Sequence, residues 1–120
     1  MPASRFEASV RQAPGVAVID LSGDIDAAAE DALNAAYAIA ASDAQGVLLN
    51  FAGVGYINST GIALIVGLLA SARKEQRKIT ACGLADHYRE IFEITRLSDF
   101  MQIFADERSA VDGVALGTGR

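Results

Sequence analysis

A single cysteine and a single histidine deprive this 120-residue chain of two common kinds of chemistry. Cys82 has no second cysteine for an internal disulfide, which fits a reducing compartment. With His87 the lone imidazole, no His and Cys ligand set for a structural metal can be assembled. Basic residues are also short: 10 Lys and Arg stand against 15 Asp and Glu, for a formal charge of −5. Phosphate backbones need a basic patch, so nucleic acid is not an expected partner. The acidic residues are scattered and form no tail. No apolar run reaches the ~20 residues of a spanning helix, and Ile62 to Ala70 supplies about half of that, so no membrane insertion is expected. Met1-Pro2-Ala3-Ser4-Arg5-Phe6-Glu7 lacks the apolar centre of a signal peptide. Repeats, linkers and low-complexity segments are missing too. The expectation is a soluble, cytoplasmic protein.

What is present is the material of a core. An apolar fraction of 52 % with 21 % charged residues is that of a folded globular chain. The length suits one domain, 1–120 with a core at about 6–116, and is too short for two.

Phe6 to Arg11 alternates and ends at the turn signal Gln12-Ala13-Pro14-Gly15. Val16 to Leu21 reads as a second strand, pairing antiparallel with the first, and Ser22-Gly23-Asp24 is expected to break it. Asp26 is a good N-cap for an alanine-rich helix from Ala27 to about Ala41. Ala29, Leu33, Ala36, Tyr37 and Ala40 share one face of it, with Glu30, Asp31 and Asn34 opposite. Gly46 offers a left-handed stop after Ser42-Asp43-Ala44-Gln45. Val47 to Phe51 is apolar on both faces except at Asn50, as in strands covered by helices.

Gly53-Val54-Gly55-Tyr56-Ile57-Asn58-Ser59-Thr60-Gly61 then reads as a small-residue loop into a helix from Ser59 to about Glu75, capped by Asn58. Its expected core stripe is Ile62, Ile65, Val66, Leu69 and Ala72. Ala63, Gly67 and Ala70 form a row of small residues, continued by Lys74, beside Leu64 and Leu68. A helix apolar nearly all round is either buried within the domain or partly covered by a partner. Ile79 to Gly83 is the next strand. Asp86 is expected to cap a helix from His87 to about Leu97, with Tyr88, Ile91, Phe92 and Thr95 inward. A short strand Phe100 to Phe104 and a helix from Asp106 to about Leu116, with Ala110, Val111 and Val114 inward, complete the chain before a frayed Gly117-Thr118-Gly119-Arg120. The order β-β-α-β-α-β-α-β-α implies an α/β fold with a mixed, mostly parallel sheet of about 4–5 strands and about 4 helices.

The stretch that could carry chemistry is the start of the central helix. Unpaired backbone N–H groups and the helix dipole favour negative charge there, so a phosphate on Ser59 or Thr60 sits in a favourable field. Nucleotide readings are weak: no lysine lies between Gly53 and Lys74, and Gly53, Gly55 and Gly61 do not have dinucleotide spacing. A hydrolase reading of Ser59 is also weak, because Ile57 occupies a position where a nucleophile elbow wants glycine and nothing brings His87 near. His87 reads as a half-exposed helix residue and Cys82 as a small core residue. Asp20, Asp24 and Asp26 could gather round a cation, though turn and capping roles are commoner.

Val47-Leu48-Leu49-Asn50-Phe51 through Asn58-Ser59-Thr60-Gly61-Ile62 resembles the signature of the STAS domain, the anti-sigma factor antagonist family: a V-L-D-L strand, a short loop, and D-S-[ST]-G opening a helix. Leu21-Ser22-Gly23-Asp24-Ile25-Asp26 is similar to the family's L-x-G-x-[LI]-D segment, and Glu90 to Leu97 to its L-x-x-[TS]-G-L segment. The resemblance implies a non-enzymatic protein without a cofactor that takes part in partner switching. Its implied partners are an anti-sigma factor that is also a serine kinase, and a serine phosphatase. Unphosphorylated antagonist binds the anti-sigma factor; phosphorylation of Ser59, or second Thr60, prevents it. Asp24, Asp26, Tyr56, Asn58, Ser59, Thr60 and Gly61 are the implied contact residues, with Ala63, Leu64 and Gly67 on the helix face. A weak homodimer is compatible with the same face.

Three positions depart from the pattern. Asn58 and Asn50 stand where the family has Asp, which keeps the cap and removes charge near the acceptor. Arg96 stands where Gly is common at a helix end, so a different helix stop is expected there. The alternative that Asn58 suggests is a constitutive, unphosphorylated STAS adaptor or scaffold in a signalling or transport assembly.

Overall fold

The structure is a computed structural model that describes residues 5–43 and 46–115. The elements run β1 (Glu7–Ala13), β2 (Val16–Ile25), a 3-10 turn (Ala27–Ala29), α1 (Glu30–Asp43), β3 (Gly46–Ile57), α2 (Ser59–Lys74), β4 (Lys78–Cys82), α3 (Asp86–Ile94), a second 3-10 turn (Leu97–Asp99), β5 (Gln102–Phe104) and α4 (Glu107–Ala115). They build an α/β fold on one five-stranded sheet in the order β1-β2-β3-β4-β5. The β1–β2 pair is an antiparallel hairpin, with Ala13 opposite Val16, and the other three pairs are parallel.

Alternation along the strands divides the core between the two faces. Ala17, Ile19, Leu21, Val47, Leu49 and Phe51 point to the face covered by α1, α2 and α3, where they pack with Leu33, Ile65, Leu69 and Phe92. Val16, Val18, Leu48 and Cys82 point to the other face and pack with Ala110 of α4. Parallel strands with helices on both faces need apolar residues at nearly every position, which is what 47–51 supplies.

On the α1 helix the inward stripe of Ala29, Leu33, Ala36, Tyr37 and Ala40 is buried, and Glu30, Asp31 and Asn34 are exposed. The Tyr37 hydroxyl donates to Glu75 Oε1 at 3.1 Å, tying α1 to the end of α2. Burial and that carboxylate both raise its pKa.

Several expectations are corrected. Ser22-Gly23-Asp24 does not break β2, and 53–57 is not a loop. Each stretch extends its strand because the two pair with each other: Ser22 with Gly53, Gly23 with Val54, Asp24 with Tyr56, Ile25 with Ile57. Register shifts after Asp20 and Gly23 absorb the irregularity. Gly23 takes φ +83, and a Cβ there would lie 2.2 Å from the Arg5 carbonyl oxygen. Gly46 is no left-handed helix stop; it opens β3 and is not among the residues with positive φ.

In α2 the inward residues are Ile65, Leu68, Leu69 and Ala72, with Gly61 at the start; Leu68 takes the place expected for Val66, which is 42 % exposed. Asp86 is the first residue of α3, not its cap; Ala85 holds that position without a side-chain bond. Tyr88 and Phe92 face inward, Ile91 is half-buried, and Thr95 is exposed with its hydroxyl donating to the Ile91 carbonyl at 2.7 Å. His87 is exposed. The last strand begins at Gln102 because Leu97–Asp99 forms a 3-10 turn, which leaves Phe100 outside the ladder. Arg96 does not provide a different stop: it adopts φ 68, ψ 15, the left-handed conformation glycine would take. Asp106 caps α4 by accepting from Ser109 N at 2.8 Å. The side chain of Val114, and residues 116–120 including the expected fray, lie outside the described residues.

Candidate functional site: the start of α2

The site forms where the extended ends of β2 and β3 meet the first turn of α2. Asn58 caps the helix: its Oδ1 accepts from Gly61 N at 2.8 Å and its carbonyl from Ile62 N at 2.9 Å. Its own N–H donates to the Ile25 carbonyl at 3.2 Å, fixing the helix start to β2. Gly61 lets α2 approach this closely, since a Cβ there would stand 2.0 Å from the same Ile25 oxygen. Both hydroxyl residues, Ser59 and Thr60, are exposed beside this fixed turn.

Around them lie most of the residues the sequence pointed to. Tyr56 is 54 % exposed at the end of β3 and opposite Asp24 of β2. Asp24 is half-buried, and its Oδ1 lies 3.6 Å from where a Cβ on Gly55 would be. Ala63 and Gly67 are exposed on α2, with nothing within 4 Å of a Cβ built on Gly67. Leu64 is half-buried and packs on the main core. Asp26 serves the other helix: its Oδ1 accepts from Ala28 N at 3.0 Å. The row of small residues is an accessible face, and the burial of α2 is supplied by its opposite side.

Two supports were not legible beforehand. The buried Tyr88 hydroxyl accepts from Ile57 N at 3.0 Å, satisfying the last backbone donor of β3 before the site. Val66 adds an exposed apolar side chain to the same helix.

Asp20 and Asn50 belong elsewhere. They are register partners on the α4 face, where Asn50 Nδ2 donates to Asp20 Oδ1 at 2.9 Å. Asn50 Oδ1 accepts from Ala52 N at 3.1 Å. Arg11 donates to both Asp20 oxygens, at 2.6 and 3.0 Å, and to Glu107 at the start of α4. The guanidinium holds the carboxyls of Asp20 and Glu107 below their usual range. Asp20, Asp24 and Asp26 thus do not converge, and among the described residues no group of three His, Cys, Asp or Glu is placed to hold a metal ion. Cys82 is buried in the same layer, and desolvation pushes its thiol up to about 11, away from reactivity at neutral pH.

The family model described as the STAS domain matches residues 7–110, which include the whole site. The chain belongs to the STAS domain family. This STAS domain is 42 % identical over 50 residues to an anti-sigma-B factor antagonist of Listeria monocytogenes. That match covers 42 % of this chain and 44 % of the relative, so it spans less than half the length of the curated protein. Among solved structures, an anti-sigma factor antagonist from Mycobacterium paratuberculosis superposes with a TM-score of 0.79 at 20 % identity, covering 92 % of this chain and 95 % of that one. The Bacillus cell fate determinant SpoIIAA in its phosphorylated form gives a TM-score of 0.69 at 21 % identity, covering 92 % and 99 %. At such identities the likeness is one of fold. Among the described residues no helix of this STAS domain is long and apolar enough to cross a membrane.

Proposed function

We propose that this protein is an anti-sigma factor antagonist that works by binding, without an enzymatic activity of its own, as a single STAS domain in the cytoplasm. Its partner is an anti-sigma factor that is also a serine kinase, and the switch is phosphorylation of Ser59, with Thr60 the second choice, reversed by a serine phosphatase. The observation that carries this reading is the exposure of Ser59 at a helix start held rigid by Asn58 and Ile25. A phosphate there adds ~1.5 to 2 negative charges in a field that tolerates them, so the domain keeps its fold. The same charge stands beside Tyr56 and Ala63, on an exposed surface of little polarity that continues to Gly67 and that a partner must desolvate. Binding is lost by repulsion and not by refolding.

Ser59→Asp and Ser59→Ala separate the possibilities. With the native anti-sigma factor, Ser59→Ala should bind like the parent and Ser59→Asp at least ~10-fold more weakly, a change of roughly 1.4 kcal/mol. Equal binding by both removes the switch from this site. A second reading, a constitutive adaptor, draws on Asn58, which completes the cap without the family's charge. Ser59 unmodified in the protein's own cells under every growth condition would favour it.

A further inference from the structure

Far from Ser59, the C-terminal half of α2 borders a groove of about 270 Å³ lined by Val66, Leu69, Ala70, Arg73, Leu97 and Phe100. Its walls are apolar and partly open to solvent: Val66 is 42 % and Phe100 53 % exposed. The volume suits one or two large aliphatic or aromatic side chains. A wider cleft of about 510 Å³ adjoins it, sharing Leu69, Arg73 and Phe100 and adding Arg77 and Lys78. Among the described residues the one acidic side chain lining that cleft is Asp99, and it accepts from Arg96 Nε at 2.8 Å. With Arg77 paired to Glu75 and Asp99 to Arg96, Arg73 and Lys78 give this end of an acidic chain the opposite sign to the whole. Arg73 suits the helix C-terminus whatever it binds. Its guanidinium carbon lies 5.2 Å from the centre of the Phe100 ring, and among the described residues its N–H fork meets no carboxylate, which leaves it open to an acceptor. Arg77 already shares Glu75, so Arg73 and Lys78 are the stronger anchors.

We propose that this groove docks an acidic amphipathic segment of a partner protein, an apolar side chain filling the space between Val66 and Phe100 while flanking carboxylates meet Arg73 and Lys78. The charge complementarity selects such a segment over a basic or neutral one, and the apolar floor selects a peptide over an inorganic anion. Arg73 lies 14 residues beyond Ser59, about 21 Å along the helix, which is more than twice the ~8 Å screening length in physiological salt. Pairing of the segment's carboxylates with Arg73 is therefore independent of charge at residue 59.

The test uses the full chain, isotope-labelled, titrated with a synthetic helical peptide of about 14 residues bearing leucines on one face and glutamates beside them. Saturable NMR shifts confined to the amides around Val66, Ala70, Arg73 and Phe100 are expected. Affinity should fall about 10-fold when the glutamates become lysines, and similarly in Arg73→Glu, whose position is exposed and whose fold can be checked in the same spectra. Ser59→Asp should bind the peptide within about twofold of the parent, whatever it does to the anti-sigma factor. The proposal is overturned if no saturable shifts appear, if the lysine peptide binds equally well, or if the shifts gather at Ser59. Concentration-dependent shifts at the groove without peptide, abolished in Phe100→Ala, would assign it to a second copy of the chain and overturn it equally.

Discussion

Asn50 Nδ2 donates to Asp20 Oδ1 at 2.9 Å across the β2–β3 register, a bond that an amide can make and a carboxylate cannot. The position therefore helps hold α4, through Asp20, Arg11 and Glu107, and is not part of the surface around Ser59.

Asn50→Asp would set two carboxylates in contact and remove the donor. At pH 7 a loss of about 1–3 kcal/mol is expected in urea unfolding. One carboxyl of the pair is then raised in the folded state, so the deficit should shrink as pH falls towards ~4, where the proton restores a donor. A deficit constant with pH would show a packing cause instead.

The Arg11 cluster has the opposite sign. Asp20 and Glu107 have depressed folded pKa values, chiefly from Arg11's hydrogen bonds. Their contribution is complete above the unfolded carboxyl values of ~3.9 and ~4.3 and is lost as pH falls through the folded ones. Because these side chains are a third or more exposed, it amounts to about 0.5–1 kcal/mol. Arg11→Gln should reduce stability by that amount at pH 7 and by nearly nothing at pH 2.

Two glycines of α2 should respond oppositely to alanine. Gly61→Ala drives a methyl into the Ile25 backbone and should cost about 3 kcal/mol or more, with loss of the cap geometry. Gly67→Ala meets open space and should stabilise the helix by about 0.5–1 kcal/mol. If the small-residue row contacts the anti-sigma factor, that stabler variant should bind it more weakly; unchanged affinity would remove Gly67 from the interface.

Arg96 carries a left-handed φ of 68 where most side chains pay a steric cost. Both Arg96→Gly and Arg96→Ala delete its ion pair with Asp99, so comparing the two isolates the backbone term. The glycine variant should be the more stable by about 1 kcal/mol in thermal or urea unfolding.

The sequence by itself determined the element order, the two faces of the sheet, the inward stripe of α1 and the Asn58 cap, because each is set by local periodicity or by a side chain bonding within its own turn. It also placed Ser59 at the first turn of that capped helix, through a motif read in order. Tertiary structure alone decided the rest. Residues 22–25 and 53–57 have no strand pattern of their own; they are strands because each supplies the other's ladder. Val66 and Leu68 are equally apolar, and only the position of the sheet makes one a core residue and the other a surface one. Arg96 keeps the left-handed turn because the chain around it, from the end of α3 to the buried Leu97, fixes that turn more strongly than the side chain opposes it. Asn50 finds its meaning in Asp20, 30 residues away, and in a helix that begins near the other end of the chain.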